Sequence, residues 1–154
     1  MFCLTPPPLR AHQDHNKRPG PVYTGGGYTE MAEAIHTGPK AVAALLDAKP
    51  ELLEDVSTGG ARPLHLCGMS RRGQLSTAVL VERGADVDAL DTYGYTPLIR
   101  MASNDLPVGA EALLEGGADA AFRSSTGETA QGIAEQSRAF EVLRVLHEWD
   151  GRTH

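Results

Sequence analysis

Gly94-Tyr95-Thr96-Pro97-Leu98 is the stretch from which the fold can be read. A threonine followed by proline marks a helix start, because the hydroxyl caps a free amide and proline sits where its missing N–H costs nothing. The same glycine, proline and leucine spacing stands at Gly60-Ala61-Arg62-Pro63-Leu64-His65, with Arg62 in the place of the threonine. The glycines preceding each helix, Gly27, Gly60, Gly94 and Gly127, recur at steps of 33, 34 and 33 residues. A second landmark keeps the period: Gly84-Ala85-Asp86-Val87-Asp88 is followed 33 residues later by Gly117-Ala118-Asp119-Ala120, and Pro50 holds the equivalent place in the first unit. The extra residue of the second unit falls near Arg71-Arg72-Gly73.

Each unit reads as turn, helix, short link, helix and loop. The second helices are marked by Val42 with Leu45-Leu46, by Val79-Leu80-Val81 and by Leu113-Leu114, and Gly84 and Gly117 are suited to end them in the left-handed conformation. One helix pair cannot bury its apolar side alone. Stacked pairs can, with a core expected from Ala34, Leu45, Leu46, Leu64, Leu66, Val79, Leu80, Leu98, Met101, Leu113, Leu114, Ile133 and Leu143. Ala34, Ala102 and Ala134 would let the first helices approach closely.

These motifs, taken with the period, resemble ankyrin repeats. The resemblance implies an all-α fold: an ankyrin-repeat solenoid of about four helix-turn-helix units with short turn or hairpin loops, over 27–59, 60–93, 94–126 and 127–149. It also implies that His65 is a structural hydrogen-bonding histidine, and that Ile99, where the family usually has histidine, makes the third unit rely more on apolar contact. The first and last units depart from the pattern, at Thr29-Glu30-Met31-Ala32 and Thr129-Ala130-Gln131-Gly132, as capping units do.

Outside the repeats, residues 1–26 form a Pro/Gly-rich tail, with Pro6-Pro7-Pro8, Pro19-Gly20-Pro21 and Gly25-Gly26, expected to be flexible or docked; 150–154 are expected as a C-terminal tail. The chain has 154 residues and a net charge of -6, which disfavours nucleic acid and anionic membranes as partners. No apolar run is long enough to span a bilayer, and the early prolines interrupt a signal-peptide pattern. An intracellular, cytoplasmic or nuclear, soluble monomer is expected, with Cys3 and Cys67 reduced.

Ankyrin proteins usually bind partners on the hollow side formed by turn tips and first helices, so the resemblance implies a protein-binding scaffold or adaptor. Carried to this chain, the partner-facing positions are Tyr28 and His36; Met69, Ser70, Arg71 and Arg72; Thr92, Tyr93, Tyr95, Ser103 and Asn104; and Thr126, Glu128 and Gln136. Tyr93 and Tyr95 offer large contact area with little rotamer entropy to lose. Arg62, Arg71, Arg72 and Arg100 are expected to gather there and favour an acidic partner segment. The rival is a small-molecule binder or enzyme using a pocket between tail and hollow face, with Arg100 or His36 supplying polarity. Catalytic motifs give that rival no support: no phosphate loop, nucleophile elbow or zinc-type cluster occurs, and His12, Asp14 and His15 lack a fourth ligand and a frame. No cofactor and no metal are expected.

Overall fold

The computed structural model describes residues 29–153, which are helical, with no strand among them. The tail over 1–26 and Tyr28 lie outside the described residues. Among the described residues eight α-helices form four consecutive pairs: α1 (Glu30–Thr37) with α2 (Pro39–Ala48), α3 (Pro63–Cys67) with α4 (Thr77–Glu82), α5 (Pro97–Ser103) with α6 (Pro107–Glu115), and α7 (Ala130–Ser137) with α8 (Phe140–Thr153). Short 3-10 turns cover Pro50–Glu54, Thr58–Gly60 and Gly73–Ser76. First members pack in the order α1, α3, α5, α7 and second members in the order α2, α4, α6, α8, which makes two layers.

All but one of these helices are shorter than the roughly 12–15 residues at which a helix becomes marginally stable alone in water, so packing must hold them. Between the layers lie Met31, Leu46, Leu64, Leu80, Leu98, Met101, Leu113, Leu114 and Val142, all buried. Ala102 and Ala134 are fully buried where α5 meets α7. Leu45, Leu66, Val79, Ile133 and Leu143 are half-buried against this core. Ile99, at 1% exposure, takes the apolar place expected of it.

Helix starts follow the period. Thr29, Thr96 and Thr129 accept from the N–H groups of Ala32, Ile99 and Gly132 at 3.0, 3.2 and 3.0 Å. In the second unit Arg62 holds that position and supplies no hydroxyl. There the His65 ring turns back, and its Nδ1 accepts the Arg62 N–H at 3.1 Å. The extra residue lies in the link Gly68–Arg72, which is longer than the links after α1, α5 and α7.

Residues 150–153, expected as tail, instead continue α8. Two contacts hold its last turns. The Arg152 guanidinium lies over the Trp149 ring at 5.0 Å and reaches Glu111 of α6 at 3.9 Å.

Gly60 and Gly84 both have positive φ, +70° and +93°, but differ in surroundings. A Cβ on Gly60 would sit 2.7 Å from Thr92 Oγ1 and 2.9 Å from Thr92 N, whereas one on Gly84 meets nothing within 4 Å. Gly84→Ala is expected to lose about 1 kcal/mol through backbone conformation alone. Gly60→Ala should lose about 2 kcal/mol or more, since a neighbouring turn must also shift. Urea unfolding midpoints of the two variants check this; equal shifts would mean that the turns do not brace one another.

Candidate interaction surface

Three turn tips project between the helix pairs: Ser57–Ala61, Asp91–Tyr95 and Ser124–Glu128. In each, the first residue donates its N–H to the fifth residue's carbonyl, at 2.8, 3.1 and 2.8 Å, and the glycine in fourth place donates back to the first. Ser or Asp at the start and Gly three residues later is the chemistry such turns favour. Adjacent tips are joined directly, since the Thr92 N–H donates to Gly59 O at 2.8 Å.

The middle tip is organised by Asp91, whose side chain is 2% exposed. Its Oδ1 accepts the N–H groups of Tyr93 and Tyr95 at 2.9 and 3.1 Å. Its Oδ2 accepts Arg100 Nε and a terminal guanidinium nitrogen at 2.9 and 2.6 Å. The guanidinium lies 4.8 Å from the Tyr95 ring centre and 5.5 Å from that of Tyr93. Tyr95 spans three units: its carbonyl meets His65 Nε2 at 2.9 Å, and its hydroxyl donates to Glu128 Oε1 at 2.9 Å. Glu128 also accepts from Thr126 and Ser124, and these hydroxyls, Thr126 and Tyr95 foremost, hold its carboxyl below the usual range.

Several residues expected to face a partner are therefore engaged within the chain. Tyr95 and Glu128 join the last two tips. Asn104 is exposed, yet its amide donates to Gly68 O at 2.7 Å. Arg72 Nε donates to His36 O at 2.6 Å and its terminal nitrogen to Thr37 O at 3.3 Å, closing the end of α1. The four arginines do not gather into one free cluster. Arg100 is held by Asp91, Arg62 by Glu54 O at 3.2 Å, and Arg72 by α1, while Arg71 is exposed without a polar partner among the described residues. Tyr93, Ser103, Thr126 and Gln136 are exposed and Thr92 is half-buried.

His36, Met69 and Ser70 do come together. They line an open groove of about 360 Å³ between α1 and α3, with Ala32, Glu33, Ile35 and Leu66. Met69 is 55% exposed at its edge. Of the other wall residues, Leu66 of α3 was read in sequence as ordinary core, and Ala32, Glu33 and Ile35 of α1 were not among the sequence candidates. Asp91 was also missed, although its place three residues before Gly94 is the signal for a turn-closing carboxylate.

Other groups are structural. Cys67 is buried and its thiol is pushed up to about 12 by burial, so it stays protonated and unreactive. No group of three or more His, Cys, Asp or Glu that could hold a metal occurs among the described residues; His12, Asp14 and His15 lie outside them. No helix among the described residues is long and apolar enough to cross a membrane. No protein-family model matches the chain, and no curated protein matches it at a significant level.

Scaffold and surface roles separate by mutation. Arg100→Met leaves the enclosed Asp91 carboxylate without its cation and should cost about 3 kcal/mol. Tyr95→Phe removes one hydrogen bond and should cost about 1 kcal/mol. Tyr93→Ala removes an exposed ring from beside the Arg100 guanidinium and should cost about 1 kcal/mol. Denaturant titration checks the ranking, and a Tyr93 loss as large as that of Arg100 would show that this ring is scaffold too.

His65 also makes stability depend on pH. Its Nδ1 accepts from Arg62, so the proton sits on Nε2 and the ring is neutral. Burial foremost, and the Arg100 charge, hold its pKa below 6.5 despite the Tyr95 carbonyl and Asp91. The unfolded chain thus takes up the proton first, and stability present above pH 6.5 is lost as pH falls toward the folded value. His65→Gln should be less stable at pH 7.5 but lose less between pH 7 and 5, read as urea midpoints across that range.

Proposed function

We propose that the chain is an ankyrin-repeat protein that binds another protein, as scaffold or adaptor, on the side formed by the turn tips and first helices. The repeat period, the Thr-Pro and Gly-Ala-Asp motifs, and two layers of stacked short helices support the family. The observation that carries the function is the groove between α1 and α3. There Met69 stands half out in water beside Ile35 and Leu66, in a chain that otherwise gives most of its tip residues an internal partner. Apolar area left open next to a braced scaffold gains by burial against another surface, and a preformed scaffold loses little entropy on binding. The proposed setting is intracellular, and the proposed free state is a monomer.

Affinity capture from native lysate, read by mass spectrometry, tests this with the intact chain, Met69→Glu, Tyr93→Ala and the outer-layer control Glu82→Ala. A protein retained by the parent and the control should be lost with Met69→Glu and reduced with Tyr93→Ala. Equal retention by all four would place binding elsewhere on the molecule.

A further inference from the structure

The chain carries a net charge of -6. Among the described residues six of the eleven lysines and arginines pair with carboxylates: Lys49 with Glu30, Arg62 with Glu54, Arg83 with Asp47, Arg100 with Asp91, Arg144 with Glu148 and Arg152 with Glu111. Arg71 and Arg72, like Lys40, Arg123 and Arg138, are not so paired, and only Arg71 and Arg72 adjoin the groove. Arg72 bonds only carbonyl oxygens at the end of α1, which orients its guanidinium without cancelling a full charge. Arg71, the next residue, is exposed and has no polar partner among the described residues. Ser70 and His36 both line the groove, and the two arginines adjoin these residues: Arg71 follows Ser70 directly in the chain, and Arg72 is bonded to the carbonyl of His36. Against them the groove presents one carboxylate, Glu33.

From this juxtaposition we infer that the groove takes a peptide segment of a partner protein carrying one large apolar side chain with an aspartate or glutamate close by. The apolar side chain enters between Ile35, Leu66 and Met69, and the carboxylate meets Arg71, with Arg72 adding to the field. Arg72 cannot turn to the ligand without opening the end of α1, so Arg71 makes the direct contact. A basic segment would bring its charge against two arginines and gain only Glu33. This rests on the protein-binding reading above and narrows it to one groove and one ligand chemistry.

The test pans a library of short random peptides, displayed on phage, over the immobilised full chain, and measures synthetic hits by fluorescence polarisation. Enriched peptides should combine a large aliphatic or aromatic residue with a nearby acid. Met69→Glu and Arg71→Glu should each weaken a hit by about tenfold or more. The Arg71 share should fade as salt is raised. Panning against Arg71→Glu should instead enrich lysine- or arginine-bearing peptides, and since both side chains are exposed, unchanged urea midpoints will show that the variants fold. Hits without acidic residues, or hits indifferent to both substitutions, overturn the inference. Hits that respond to Tyr93→Ala alone overturn it while leaving the binding function standing, and no enrichment at all counts against both. Self-association of the parent in sedimentation, abolished by Met69→Glu, would also overturn it by making a second copy the occupant.

Discussion

A short helix leaves unpaired N–H groups at its start and unpaired carbonyls at its end, and a fold of helices mostly five to ten residues long has many such ends to satisfy. First helices are capped within their own units, and neighbouring units supply several of the remaining partners. Gln74 Oε1 accepts the Gly109 N–H at 3.0 Å at the start of α6, and Asp105 Oδ1 accepts the Val142 N–H at 3.0 Å at the start of α8. On the loops that follow the second helices, Glu54 and Asp88 accept the N–H groups of Asp86 and Asp119. In the other direction, Arg72 and Asn104 donate to carbonyls that the links after α1 and α3 leave open. Apolar stacking brings the units together, and these bonds set their register.

That arrangement explains why the surface divides as it does. The turn tips carry polar residues that read as available, but the second and third tips are closed by Asp91, Arg100, Tyr95 and Glu128 bonding among themselves. The groove is open because its walls belong to the first two units, where the link Gly68–Arg72 places Met69 and Ser70 outward instead of folding them under a helix. One additional residue in that link thus coincides with an uncovered apolar groove on this side.

Much of the architecture was legible in sequence because it follows from local chemistry repeated at a fixed interval. Thr96-Pro97 starts a helix, Gly84 and Gly117 lie just past helix ends, and the aliphatic pairs mark what is buried. The neutral, bonded state of His65 was legible through its motif. Tyr95 was not, because the hydroxyl that seemed free is answered by Glu128, 33 residues away, and nothing local announces that pairing. Asn104 and Arg72 escaped for the same reason: their partners are backbone oxygens of another unit, which no side-chain pattern records. The end of α8 beyond 149 was missed because Trp149 and Arg152 support each other only once the helix has formed.

Among the bonds from side chain to backbone amide between units, acceptors sit in the earlier unit and serve the later one, as with Gln74, Asp105, Glu54 and Asp88. Arg72 and Asn104 donate to the earlier unit, whereas His65 Nε2 donates to Tyr95 O in the later one. The end of α7 closes on itself through Arg138 in the left-handed conformation, φ 57°. The four pairs are alike in shape yet not interchangeable in order. Shuffling them would preserve every helix and most of the apolar core while separating these side chains from the particular amides and carbonyls they meet, so sequence order is written in a handful of polar side chains.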